Sequence, residues 1–231
     1  MAPEKRKRIG LIVPSSNTTL EVDFYRSFGP EVSLHTTRMY LDVVTRENEA
    51  KMISKGLPQA VKLLKTLEPD VILFGCTSGG ALGGLDHDQK IRARIEKRTG
   101  VKTLTVLSSV TEALKGLAAR KIGVFTPYID EVNEDIRASL VGAQFQVSFL
   151  RGMSLVHNVD VGKVTPEEIA GFVRDGMDPS SPVDALFLSC TNWRAYEALP
   201  ILRSFIFVPI VTSSQAAIQS TRDYLERHVH R

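Results

Sequence analysis

The chain carries nearly the same text twice. Residues 69–81 read PDVILFGCTSGGA and residues 183–195 read VDALFLSCTNWRA. Each is an apolar run that closes on a cysteine followed by a threonine, Cys76-Thr77 and Cys190-Thr191, at an offset of 114 residues. RIGLIVPSSN (8–17) and KIGVFTPYID (121–130) repeat at an offset of 113, counted from Arg8 to Lys121. LTVLSSVTEAL (104–114) and VPIVTSSQAAI (208–218) repeat at 105, counted from Ser108 to Ser213. A period this long is the size of a domain, not of a solenoid unit. The chain therefore has to fold as two homologous halves.

The pattern within each half predicts alternating strands and helices. In the first, strands are expected at Ile9–Val13, Val32–Arg38, Val71–Phe74 and Val101–Val106, and helices at Glu21–Phe28, His87–Arg98 and Ser109–Ala119. Residues Met52, Ile53, Leu57, Ala60, Val61, Leu64 and Leu67 mark one face of a helix over Asn48–Leu67. The second half repeats the order. Strands are expected at Ile122–Phe125, Phe145–Leu150, Ala185–Leu188 and Phe207–Val211, with helices at Asp130–Val141, Pro166–Asp175, Tyr196–Phe205 and Gln215–Arg227. Short unbroken apolar runs such as Val71–Phe74 mark strands covered on both faces, as in parallel sheets. The predicted class is α/β, with two pseudo-symmetric Rossmann-like halves, each a small, mostly parallel sheet flanked by helices, and the active site between them. The expected division is 1–117 and 118–215, with a C-terminal helix, 216–231, packing back on the first half.

Composition excludes several classes. A net charge of +3, from 29 basic and 26 acidic residues, gives no electrostatic footprint for nucleic acid, and the basic run Lys5–Arg8 is a short terminal cluster. No apolar stretch approaches the roughly 18 residues of a membrane span. The N-terminus lacks the apolar core of a signal peptide. Two cysteines placed in strand-end motifs fit a reduced pair in the cytoplasm better than a disulfide.

In open parallel sheets, ligands bind beyond the carboxyl ends of the strands. Pro14–Asn17, Cys76–Gly80, Thr126–Tyr128 and Cys190–Asn192 all fall there. These segments are rich in small hydroxyl and amide side chains, and helix N-termini nearby favour a carboxylate ligand and lower a thiol pKa. A lone cysteine is usually a small buried hydrophobe; two in duplicated loops point to nucleophile and acid, or to two opposed bases. The metal-ligand pattern is absent, because no histidine or carboxylate cluster accompanies the cysteines. His157 is the one histidine near these loops and reads as structural. Gly79-Gly80 and Gly83-Gly84 form no nucleotide-binding fingerprint.

The motifs PSSNTTLE (14–21), GCTSG (75–79) and SC (189–190), with the tyrosine of TPY (126–128) and the asparagine of HNVD (157–160), extend over nearly the whole chain. Together they resemble the Asp/Glu racemase superfamily, and within it the maleate cis–trans isomerase and arylmalonate decarboxylase branch. The resemblance implies that Cys76 attacks the C=C bond of maleate as a thiolate and that Cys190 delivers a proton to the other carbon. It implies that Asn17, Tyr128 and Asn158 hold carboxylates, while Ser15, Thr77, Ser78, Thr191 and Asn192 stabilise an enediolate-like intermediate. It further implies no cofactor, no metal, a small carboxylate substrate and a homo-oligomer.

Decarboxylases of the branch carry glycine where this chain has Cys76, which disfavours that chemistry. Thr191-Asn192-Trp193-Arg194-Ala195 departs from the more neutral stretch of maleate isomerases and is similar to ectoine-utilisation relatives. Arg194 is either a carboxylate clamp or a helix-surface residue, and Trp193 either walls the pocket or packs. The alternatives to an isomerase are a cofactor-independent racemase or epimerase, a decarboxylase-like lyase and a non-catalytic binder of a small dicarboxylate.

Overall fold

The computed structural model describes residues 6–228. Residues 1–5 and 229–231, which the sequence reading assigns to the first half and to the closing helix, lie outside the described residues.

The first half runs β1 (Lys7–Pro14), α1 (Leu20–Ser27), β2 (Val32–Met39) and α2 (Arg46–Lys51). A π-helical turn, Met52–Gly56, leads into α3 (Leu57–Lys65), then β3 (Val71–Phe74), α4 (Thr77–Ala81), α5 (Leu85–Thr99), β4 (Thr103–Thr105) and α6 (Val106–Gly116). The second half runs β5 (Lys121–Thr126), α7 (Asp130–Gly142), β6 (Gln146–Gly152), α8 (Asn158–Lys163) and α9 (Pro166–Gly176). It closes with β7 (Ala185–Leu188), α10 (Ala195–Leu202), β8 (Ile210–Thr212) and α11 (Ser213–His228).

Two all-parallel sheets result, ordered β2-β1-β3-β4 and β6-β5-β7-β8, so the predicted α/β class of two matching halves is borne out. The ladders show the duplication directly. Gly10 pairs with Ile72 and Gly123 with Leu186, which reproduces the offsets of 113 and 114. The third offset needs correction. Ile72 pairs with Thr103 and Leu186 with Ile210, so the last strands are offset by 107, not 105. Thr105 and Thr212 are the true equivalents: each ends its strand and accepts a backbone N–H three residues on, from Ser108 and from Gln215. The paired serines had drawn the alignment two residues out of register.

The buried apolar runs Ile9–Val13 and Val71–Phe74 form the centre of one sheet, and Ile122–Phe125 and Ala185–Leu188 that of the other. Helices α6 and α11, which follow equivalent strands, pack on each other where the halves meet. Helix α11 also touches α1, β3 and β4, and Arg222 donates to the Ser27 carbonyl at 2.7 Å.

The helix expected over Asn48–Leu67 is interrupted. The amide of Met52 reaches the carbonyls of both Asn48 and Glu49, and that of Leu57 reaches Met52. The wide turn keeps Met52, Ile53, Leu57, Ala60, Val61 and Leu64 on the core side while Gly56 passes tightly over Met39. Two short helices, α4 and α8, go beyond the elements expected from the sequence, being too short to show a period. The last strand begins at Ile210 rather than Phe207, which is almost fully exposed. Among the described residues, no helix is long and apolar enough to cross a membrane.

Candidate active site

In each half the chain leaves the central strand for opposite sides of the sheet, so the switch points lie at the carboxyl ends of β1 and β3, and of β5 and β7. Cys76 follows β3 and Cys190 follows β7. Both thiols are free and buried, 3% and 6% exposed.

The two cysteine loops are fastened to each other reciprocally. Thr191 reaches across to donate to the Gly75 carbonyl at 3.0 Å, beside Cys76. Thr77 donates to Ser213 at 3.0 Å, and the same oxygen accepts the Cys190 amide at 3.0 Å. Asn17 adds a bond to Thr191 at 3.1 Å. Each loop is thus pinned by residues of the other half.

Cys76 is the N-cap of α4, and its sulfur accepts the Gly79 amide at 3.4 Å. A Cβ at 79 would stand 3.1 Å from the sulfur, a tight contact that glycine avoids. The Ser78 hydroxyl lies 3.8 Å from the same sulfur. Cys190 faces the amides of Asn192, at 3.3 Å, and Trp193, and the buried Tyr128 hydroxyl.

The expected low thiol pKa is corrected here. Burial pushes the Cys76 thiol well up, the nearby Glu49 carboxyl adds to this, and the Gly79 amide and Ser78 hydroxyl oppose it without prevailing. Burial also raises Cys190, against the Tyr128 hydroxyl and the two amides. A one-turn helix with one N–H on the sulfur does not offset the loss of water around a thiolate. Tyr128 is raised well above its ordinary value, by burial first and then by Cys190.

The remaining residues separate. Tyr128, Thr77, Ser78 and Thr191 stand with the thiols in the buried cluster. The Asn17 side-chain oxygen accepts the amides of Thr19 and Leu20 and so starts α1. Asn158 donates to Ser16 at 2.8 Å. The Asn192 side chain bolts the halves, accepting from Thr18 at 2.8 Å and donating to the Asn158 carbonyl at 2.6 Å, so only its backbone amide addresses a sulfur. Ser15 is exposed and exchanges hydrogen bonds with the Leu41 backbone. Ser16 is half-buried, donating to the Leu41 carbonyl and accepting from Asn158. Trp193 is wholly buried and packs edge-on against Phe172 at 6.3 Å. Arg194 forks onto Glu197 at 3.1 and 3.0 Å along its own helix. His157 lies by Asp42, where Val43 and His157 bridge the halves.

Sequence reading missed Glu49. This carboxyl is 1% exposed, accepts the Ser78 hydroxyl, and is raised to about 8 by burial, with Asp135 and Glu131 adding to the rise against the Ser78 bond. A signal existed: Glu49 stands three and four residues before Met52 and Ile53, on the buried stripe of its helix. Among the described residues, no three His, Cys, Asp or Glu side chains cluster as a metal site would require.

Comparison with known proteins agrees with this geometry. The family model described as arylmalonate decarboxylase matches residues 9–229. A maleate isomerase of Nocardia farcinica is 32% identical over 193 residues, 80% of this chain and 76% of the relative. An arylmalonate decarboxylase of Bordetella bronchiseptica is 25% identical over 90% of this chain and 86% of its own. The solved structure of a Nocardia farcinica maleate cis–trans isomerase, a cysteine-to-serine mutant with a covalently bound succinylcysteine intermediate, superposes with a TM-score of 0.88. It is 26% identical and covers 95% of this chain and 93% of its own. On this match the chain belongs to the arylmalonate decarboxylase family, in the maleate isomerase and arylmalonate decarboxylase branch of the Asp/Glu racemase superfamily.

Proposed function

We propose that this protein is a cofactor-independent isomerase that converts maleate to fumarate. The observation that carries the reading is the pair of buried thiols at equivalent switch points, fastened together through Thr191, Thr77 and Ser213. A succinylcysteine in a relative 26% identical to this chain supports the same chemistry.

In the proposed reaction the Cys76 thiolate adds to one alkene carbon. The displaced electron pair passes into the adjacent carboxylate, giving an enediolate-like species, and the Cys190 thiol protonates the second carbon. The former double bond is now single and rotates. The Cys190 thiolate then takes its proton back, the C–S bond breaks, and fumarate leaves. The Tyr128 hydroxyl and the amides of Asn192 and Trp193 support the charge on Cys190 during its time as a thiolate. Thr77, Ser78 and Thr191 line the path of the intermediate, and Asn17, Asn158 and Tyr128 take the carboxylates. Ser15, whose hydroxyl is held by the Leu41 backbone, has no role in this scheme. A reducing, cytoplasmic setting suits an enzyme that needs both thiols free. Assembly as a homo-oligomer goes with the reading, and the exposed Phe207, Tyr40 and Tyr25 offer surfaces for it.

The test is to follow loss of maleate by ultraviolet absorbance, with mass spectrometry of the Cys190→Ser protein after incubation with maleate. Fumarate production by the wild type and a succinyl adduct on Cys76 are expected. Complete inertness toward maleate rejects the reading and transfers the two thiols to a racemase-type reaction.

A further inference from the structure

A buried thiol that burial holds protonated makes a poor nucleophile, so a partner must take its proton before it can attack. The helix α4 does not supply that partner; the side chain opposite it does. Glu49 is buried on the inner face of α2, immediately before the π-helical turn, a kind of irregularity that recurs at functional sites. Its carboxylate accepts the Ser78 hydroxyl, and the Ser78 oxygen stands 3.8 Å from the Cys76 sulfur. The three side chains follow one another in contact: sulfur, hydroxyl, carboxylate.

We propose that Glu49, acting through the Ser78 hydroxyl, is the acceptor of the Cys76 thiol proton. The inference deepens the reading given above and rests on it for the identity of the nucleophile. In the step, the Cys76 S–H bond breaks as an O–H bond forms at Ser78. The original Ser78 O–H bond breaks as an O–H bond forms on Glu49. One negative charge moves from carboxyl to sulfur, and the net charge of the site is unchanged. The resulting neutral Glu49 does not repel a dicarboxylate.

The surroundings suit an acceptor that works near neutrality. From α7, Glu131 and Asp135 face Glu49 and disfavour its charged form. Arg46, on the same helix as Glu49, is committed to Asp135 at 2.9 and 3.1 Å and fixes α2 against α7. His87 of α5 stands behind Asp135. From the other side come Cys76, Cys190 and Tyr128, each of which feels the Glu49 charge. An acid–base group whose pKa lies near the working pH transfers protons most effectively, and Glu49 is held at about 8.

The experiment reads Cys76 alone, without substrate, in the full-length Cys190→Ser protein. Iodoacetamide alkylation of Cys76, located by mass spectrometry, is followed against pH. The rate is expected to rise through about pH 8. Adding Glu49→Gln or Ser78→Ala should remove that inflection and slow the reaction on the order of 10²-fold. A Glu49 that acts only as a nearby charge predicts the opposite, because its charge raises the Cys76 thiol. Glu49→Gln would then react as fast or faster, and that result overturns the proposal, as does a parent profile flat through about pH 8. Thermal melting shows whether Glu49→Gln is folded; if it is not, Ser78→Ala decides, and an unchanged profile there overturns the relay. A wild type inert to maleate but with the expected alkylation profiles sinks the maleate reading and leaves the relay standing. Maleate turnover with unaltered profiles does the reverse.

Discussion

Cys76 and Cys190 occupy equivalent places after β3 and β7, yet their backbones differ. Cys76 has φ −134° and ψ 114°, ordinary extended geometry, and starts a helix at once. Cys190 has φ 121°, a region that costs a non-glycine residue about 1–3 kcal/mol, and the next helix waits until Ala195. The bend turns the amides of Asn192 and Trp193 onto the Cys190 sulfur, and Tyr128 completes the ring of donors. Cys76 has one amide, one hydroxyl and a carboxyl behind it. The comparison teaches that duplication supplied two positions for sulfur, and that local backbone and neighbours then gave the two different surroundings. One thiol faces an acceptor and one faces donors, the arrangement a nucleophile and an acid require.

The strongest way to break this contrast is to remove each sulfur. Cys76→Ala should abolish maleate turnover to background, since no covalent adduct can form. Cys190→Ala should lose roughly 10²- to 10⁴-fold, the range for a proton-transfer group, and single-turnover adduct formation should separate the two. Equal residual rates in the maleate assay would mean that the roles are not divided.

Next in size is the dependence of stability on pH, which belongs to the Cys76 side. Glu49 rises from 4.5 unfolded to about 8 folded, so the folded protein holds the proton more tightly. Its contribution is full below about pH 4.5 and is lost as pH rises through about 8, with a slope on the order of 1 kcal/mol per pH unit in that window. Asp23, raised from 3.8 to about 6 chiefly by burial, adds to the decline at the lower end. Melting temperature should therefore fall between these limits, and Glu49→Gln should flatten the decline above about pH 6 and leave only the Asp23 part of it below. A variant that keeps the full slope would show that Glu49 is charged in the folded state.

The smallest effect sharpens the backbone contrast itself. Cys190→Gly should be more stable than Cys190→Ala by about 1 kcal/mol in urea unfolding, because glycine accepts positive φ without strain. At Cys76, an N-cap in ordinary extended geometry, glycine relieves no φ strain, and the gap between Gly and Ala should be smaller. An equal gap at both sites would remove backbone strain from the account.

The fold was legible because duplication makes each half a check on the other: three landmarks in order define the strands that the ladders later pair. Short elements were not. The five residues of α4 and the π turn at Met52–Gly56 depend on hydrogen bonds to particular carbonyls, which no periodicity records. Within the site, the thiols, Tyr128 and the threonines announced themselves by position. Glu49 did not, because Arg46-Glu47-Asn48-Glu49 reads as a solvated helix face, and only its phase with Met52 and Ile53 betrays that one of the four points inward. Asn192 misled in the other direction, a polar residue two places after Cys190 whose side chain holds the halves together.

Thr191 on the Gly75 carbonyl and Thr77 on Ser213 act as pins set through the jaws of a caliper, close to the tips. Any change that widens the space between the two cysteine loops has to break one of these bonds, so the reach of one half into the other sets the spacing of the two sulfurs' loops.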